Sequence, residues 1–193
     1  MTQTETAELD RFVAEVERLT SSGADERTVT DGVADALREL LAGDFTIPAP
    51  LRRENPDHYV MYPLYVAPDG AFSVASAVWN VGRGTPVHGH ETWGVVGIYS
   101  GVELETRYAK PSEGHTGALT ALDQNVPWQP GEVTVCCTTD DDVHQVSCGS
   151  DVPCVGVHVY GADIGTLSRR RYDPASGEVS WFVSTWTYPA GAV

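Results

Sequence analysis

No stretch of this chain approaches the roughly 18 consecutive apolar residues that a membrane span requires. The opening MTQTETAELDRF has neither the basic region nor the apolar run of a secretory leader, so the sequence predicts a cytoplasmic protein. Positive charge is scarce: 12 Lys plus Arg against 27 Asp plus Glu give a formal net charge of −15. That balance argues against nucleic acid and anionic membrane surfaces as partners. Cysteine is sparse too. The four residues Cys136, Cys137, Cys148 and Cys154 form no CxxC pair, and two are adjacent. A stapled framework is therefore disfavoured and reduced thiols are expected, with a Cys148–Cys154 bridge left open. Repeats, low-complexity tracts and long linkers are also lacking, which predicts one structural domain. Its parts are a helical extension over residues 1–45 and a β domain over residues 46–193.

What the chain does contain is an ordinary 41 % of apolar residues, heavily punctuated by 19 Gly and 12 Pro. Leu9, Phe12, Val13, Val16 and Leu19 recur at helical spacing and predict a helix over 5–21, ended by Gly23. Val29, Val33, Leu37, Leu40 and Leu41 predict a second over 25–42, with Gly43 after its end. Beyond Ile47 short segments rich in Val, Tyr, Trp and Thr alternate with Pro, Gly and Asp, as in AFSVASAVWNVGRG, WGVVGIYSG and VPCVGVHVYG. This texture predicts an all-β sandwich or barrel with the two helices packed outside it.

One segment carries chemistry. In GRGTPVHGHETWGVVGIYSG, residues 82–101, His88 and His90 are two apart in a strand-like run. Side chains at i and i+2 share a strand face, so the two imidazoles project together. Such a pair holds a transition metal once a third ligand arrives, and His144 in DDDVHQVSCG is the candidate. His158 and Tyr160 in VGVHVYG form a second i, i+2 pair. Glu91 points away from the histidine face by the same alternation. Asp140, Asp141 and Asp142 read as an exposed turn, since they lack the spaced pattern of a calcium loop. His58 and His115 lie outside every motif.

The glycine-framed HxH resembles the first motif of the cupin superfamily, and Pro130-Gly131 before His144 resembles the second. The motif glutamate is missing: its place falls at Gly94 or Val95. That departure, with the runs TPVHGHETWGVVGIYSGVELETRY and GVHVYGADIGTLSRRRYDP, resembles bacterial members of the thiol dioxygenase family, the cysteine and 3-mercaptopropionate dioxygenases, over about residues 55–175. The resemblance implies a cupin jelly roll and an iron(II) ion held by His88, His90 and His144. It also implies oxidation of a small carboxylated thiol by dioxygen to its sulfinic acid. His158 and Tyr160 would match two members of the family's Ser-x-His-x-Tyr relay, with Gly156 where the serine stands. Gly94 also replaces the cysteine that crosslinks to this tyrosine in mammalian-type members, so no crosslink is expected.

Two positions bear on the substrate. The segment DHYVMYPLY has no arginine where cysteine dioxygenases hold the substrate carboxylate; Met61 or Tyr62 stands near that point. Mercaptopropionate-type members place an arginine about nine residues after the relay tyrosine, where this chain has Arg169. A guanidinium there would hold a carboxylate bidentately. Tyr62, Trp79, Trp93 and Tyr108 are candidates for pocket walls. The rivals to this reading are a three-histidine cupin oxygenase acting on a non-thiol substrate and a non-catalytic metal-binding cupin. A monomer or small homo-oligomer is expected.

Overall fold

A computed structural model describes residues 3–137 and 142–189, and the side chains of residues 7–136 and 142–189. Helices α1 (Gln3–Thr20) and α2 (Glu26–Ala42) fall within a few residues of their predicted bounds. Asp25 caps α2 by accepting a hydrogen bond from the Thr28 amide at 2.8 Å. The apolar stripes predicted from spacing are the buried faces: Phe12, Val16, Val33 and Leu37 are each at most 4 % exposed. No helix among the described residues is long and apolar enough to cross a membrane.

Eleven strands follow among the described residues. Strands β1 (Val60–Val66), β2 (Ser73–Trp79), β9 (Cys154–Tyr160), β4 (Gly94–Ser100) and β7 (Val133–Cys137) form one antiparallel sheet in the order 1-2-9-4-7. Strands β11 (Val179–Phe182), β10 (Arg169–Tyr172), β3 (Val87–His88), β8 (His144–Cys148), β5 (Glu103–Tyr108) and β6 (Ala121–Trp128) form the second, ordered 11-10-3-8-5-6. The mostly β, two-sheet architecture with two N-terminal helices is the class predicted. Neighbours that are distant in sequence, such as β2 with β9 and β3 with β8, show why no local pattern reveals the order.

The five-stranded sheet is buried on both faces. β2 and β9 consist of seven buried residues each, as their continuous apolar character requires. On the outer face Val74, Val78, Val95, Val157 and Val159 join the helices in one apolar core. Gly97 in β4 allows that approach: a Cβ there would stand 2.6 Å from Leu41 Cδ1 and 2.9 Å from Leu37 Cδ2. On the inner face Met61, Ala75, Ala77, Trp79 and Tyr160 look toward the second sheet.

Gly97→Val is expected to force α2 off the sheet and to destabilise the protein by about 1–3 kcal/mol, the usual cost of overpacking. Chemical denaturation of the variant beside the parent protein measures it.

Candidate metal centre

The inter-sheet space holds the histidines. In the antiparallel register of the second sheet, His88 on β3 lies directly opposite His144 on β8. Directly paired residues bring their Cβ atoms within about 5 Å, and the two rings sit 4.9 Å apart between centroids. His90 follows β3 in a turn whose next residue, Glu91, has φ +57°. That turn folds its ring back onto the pair, 4.8 Å from His88 and 4.9 Å from His144. The three residues are 4 %, 1 % and 3 % exposed for His88, His90 and His144. One ligating atom from each lies within 4.8 Å of the others.

The outer nitrogens of His88 and His144 are committed elsewhere. His88 Nδ1 donates to the Pro86 carbonyl at 3.0 Å, and His144 Nδ1 donates to Glu105 Oε1 at 2.7 Å. Both bonds leave Nε2 bare and turned inward, the tautomer a metal needs. His88 Nε2 and His90 Nε2 stand 3.0 Å apart. That spacing suits two ligands at right angles on an ion with bonds of about 2.1 Å. His144 Nε2 is buried with no hydrogen-bond partner. A polar atom in that condition is costly unless something binds it. The donor set therefore fits a divalent transition metal.

Burial, reinforced by the neighbouring histidines and Arg169, pushes His88 and His90 well below the ordinary histidine value. They are neutral and ready to ligate near pH 7. Burial works against ionisation of Glu105, yet the hydrogen bonds from His144 and Trp128 keep its carboxylate below the usual range.

The loop bearing His90 is clamped from outside by Asp142. Its Oδ2 accepts from the amides of His90 at 2.9 Å and Glu91 at 3.0 Å, while Oδ1 pairs with Lys110 Nζ at 2.9 Å. Gly89 makes room for this carboxylate, since a Cβ there would stand 2.8 Å from Oδ2. The exposed aspartate turn expected from the sequence is thus corrected for Asp142, which is 1 % exposed. Two backbone amides and the Lys110 ammonium surround its carboxylate. Asp140 and Asp141 lie outside the described residues. Glu91 faces away from the centre as expected, but from the turn after β3 rather than from a strand, and forms a bidentate pair with Arg170 at 2.7 and 2.6 Å.

Arg169 enters the same cavity as the histidines. It is 2 % exposed, with its guanidinium 4.7 Å from the Phe182 ring centre and Nη2 donating to Ser184 Oγ at 2.5 Å. Its Nε has no hydrogen-bond partner, and no carboxylate among the described residues pairs with it. Across the cavity His158 Nδ1 and the Tyr160 hydroxyl lie 2.9 Å apart, and the Tyr160 ring rests 5.1 Å from that of His90. Tyr59, Met61, Ala77, Trp79, Thr85 and Val146 complete a narrow cavity of about 20 Å³.

Tyr62 is not part of this cavity, which corrects its assignment to the substrate site. Its hydroxyl donates to the Arg53 carbonyl at 2.9 Å and its ring joins the helix-side core. The cause is strand alternation: Tyr59 and Met61 face inward, so Tyr62 faces out. Trp79 is a wall, whereas Trp93 packs over Gly161 and Tyr108 packs with Val87, Val143 and Tyr172. His58 and His115 are exposed. Glu105 and Asp142 were not singled out as site residues from the sequence. The signal for Glu105 was the E-x-E alternation in VELETRY, which puts two carboxylates on one strand face. Cys136, Cys148 and Cys154 are buried thiols in no disulfide, with Cys148 Sγ 2.7 Å from Cys154 Sγ.

No protein-family model matches the chain. Among solved structures, the TT1209 protein of Thermus thermophilus is 16 % identical and aligns with a TM-score of 0.46, covering 62 % of this chain and 98 % of its own. A cupin superfamily protein of Desulfitobacterium hafniense is 11 % identical with a TM-score of 0.45, over 63 % of this chain and 94 % of that one. An oxalate oxidase in complex with the substrate analogue glycolate is 14 % identical with a TM-score of 0.45, over 63 % and 62 %. Likeness at this level says nothing of activity or substrate.

Two outcomes are expected. Glu105→Ala, which removes the carboxylate that orients His144, weakens metal binding about 10- to 100-fold in a competitive chelator titration. The second concerns the metal-free protein. His88, His90 and His158 have folded-state values below the unfolded value, about 3 for His158. The unfolded chain therefore takes up their protons first, and stability is lost as pH falls below about 6.5. Glu103 opposes this: its folded value of about 8 exceeds the ordinary 4.5, so stability is lost as pH rises through that window. Three groups that gain protons on unfolding outweigh the one that releases its proton, so a net loss of stability is expected as pH falls from about 6.5 to 5. Denaturant titrations across that range read the slope, and a flat profile would contradict neutral burial.

Proposed function

We propose that this chain is a cupin metalloenzyme, an iron(II)-dependent thiol dioxygenase acting on a small carboxylated thiol, nearer 3-mercaptopropionate than cysteine. The observation that carries the reading is a buried guanidinium with no carboxylate partner in the same cavity as three converging imidazoles. A buried unpaired charge is expensive, and a carboxylate-bearing ligand is its natural complement. The cavity is small, so the ligand must be short.

The overall change, RSH + O₂ → RSO₂H, needs no external reductant. An iron(II) ion held by His88, His90 and His144 would supply the open positions at which thiolate and dioxygen meet. Three neutral imidazoles leave its full charge for a thiolate, because Glu105 stays outside the ligand set on the far nitrogen of His144. Arg169 orients the substrate through its carboxylate, with Phe182 and Ser184 holding the guanidinium plane. Tyr160 presents its hydroxyl to the cavity and is aligned by His158. Tyr59, Met61 and Trp79 shield the centre from water.

The test is oxygen uptake by the iron-reconstituted protein with 3-mercaptopropionate, cysteine and cysteamine in parallel. Uptake on a carboxylated thiol, with a product two oxygen atoms heavier, is expected. Cysteamine, lacking the carboxylate, is expected to be poor. Arg169→Ala should raise KM about 10- to 100-fold, the worth of a charge-assisted hydrogen bond, while iron content stays unchanged. No uptake with any thiol by fully loaded protein overturns the reading in favour of a non-thiol substrate.

A further inference from the structure

Glu103 and Glu105 share the inward face of β5, and only Glu105 has an evident task. Glu103 is 4 % exposed, and its Oε2 has no hydrogen-bond partner. It lies 4.0 Å from His158 Nε2, which is equally buried and equally unpartnered. The two residues come from opposite sheets, so this contact spans the sandwich. Gly156 permits it: a Cβ at that position would stand 2.7 Å from His158 Nε2, in the space the ring occupies. The other face of the same imidazole is packed against Trp79, 5.3 Å between ring centres. His158 is thereby held with one nitrogen toward Tyr160 and the other toward Glu103.

We propose that Glu103 is the terminal positioning residue of a three-member relay, Glu103–His158–Tyr160, that sets the direction in which the Tyr160 hydroxyl donates. The proposal rests on the oxygenase reading of the centre. Orphaned buried polar atoms seek partners, and the gap closes to a hydrogen bond with a shift of about 1 Å at the end of a flexible side chain. The groups facing Glu103 are Glu105 on its own strand, Cys148 opposite it on β8, and Cys154 and His158 on β9. None is a fixed cation that would hold an ionised carboxylate there. Burial, with Glu105 and Cys148 nearby, raises the Glu103 carboxyl to about 8, and burial lowers His158 to about 3. At neutral pH a carboxylic acid therefore faces a neutral imidazole.

One arrangement pairs both orphaned atoms and relieves Tyr160 of donating to the ring. The Glu103 O–H donates to His158 Nε2, which places the single ring proton on Nδ1. His158 Nδ1–H donates to the Tyr160 oxygen, so the Tyr160 O–H is directed away from the ring. With the ring proton on Nε2, the Tyr160 hydroxyl would be spent on Nδ1 and could not serve a ligand. The protons are ordered in one direction, and no net charge is buried.

The test reads the tautomer directly. Full-length protein carrying ¹⁵N-labelled histidine and loaded with diamagnetic zinc is studied by two-dimensional NMR at pH 7. His158 is expected to show a protonated Nδ1 and a bare, hydrogen-bonded Nε2. Glu103→Gln keeps a donor and should preserve that tautomer. Glu103→Leu removes it and should move the ring toward the Nε2–H form. In the iron-loaded enzyme, Glu103→Leu should lower kcat about 10- to 100-fold with KM for the thiol nearly unchanged, and Glu103→Gln should recover most of it. An Nε2–H tautomer in the parent protein overturns the relay, as does a Glu103→Leu spectrum with His158 unmoved. If Glu103→Leu does not fold, the parent and Glu103→Gln spectra decide alone. The NMR experiment needs no turnover, so failure to oxidise thiols would refute the proposed function without deciding the relay.

Discussion

The direct antiparallel pairing of His88 with His144 is the constraint on which the centre depends. It fixes two ligands at the separation of paired strands, and the tight turn after β3 needs only to return one more ring to complete the set. Both strands are interior members of their sheet, flanked by β10 and β5. β10 delivers Arg169 beside the pair, and β5 delivers Glu105 behind it. A shift of one residue in that register would turn every inward side chain outward. The metal ligands, the buried arginine and the orienting carboxylate are therefore one structural unit.

Burial sets the chemistry of that unit. The imidazoles lie between two sheets with almost no contact with water, so the charged forms of His88, His90 and His158 are disfavoured and lone pairs are available. The carboxylates divide by their partners. Glu105, with two donors, is held ionised, while Glu103, with none, retains its proton. Asp142 is stabilised by two amides and Lys110 and clamps the backbone rather than touching the centre. Three buried acids of similar intrinsic strength thus do three different things, and the hydrogen bonds each receives decide which.

The two sheets play separate parts. The six-stranded sheet carries the ligands and Arg169, whereas the five-stranded sheet contributes His158, Tyr160, Trp79 and Met61 from across the gap. The helices stiffen the outer face of the five-stranded sheet through one continuous core. The wall that aligns His158 and Tyr160 is therefore buried on both sides, which suits groups that must hold fixed directions.

Much of this was legible in the chain itself. Helical spacing located α1 and α2 to within a few residues, because amphipathic periodicity is a local property. The pair His158/Tyr160 could be read because both lie two apart on one strand, whereas His88 and His90 converge as expected but through the turn that follows β3 and not through strand alternation. The triple arginine was less transparent: Arg169 is buried, Arg170 is paired with Glu91 and Arg171 is exposed, three fates that adjacency alone does not separate. Tyr62 was misplaced by a single residue of alternation, which in a strand means the opposite face. Strand β5 shows the limit. In VELETRY alternation puts Glu103 and Glu105 on one face and Leu104 on the other, and it is the glutamate face that is buried while Leu104 is half-exposed. Local sequence determined which segments become helices and strands and which side chains can ligate a metal. Only the pairing of β5 with β8, strands some forty residues apart, decided that two carboxylates belong inside, because the partners that make their burial tolerable arrive from elsewhere in the fold.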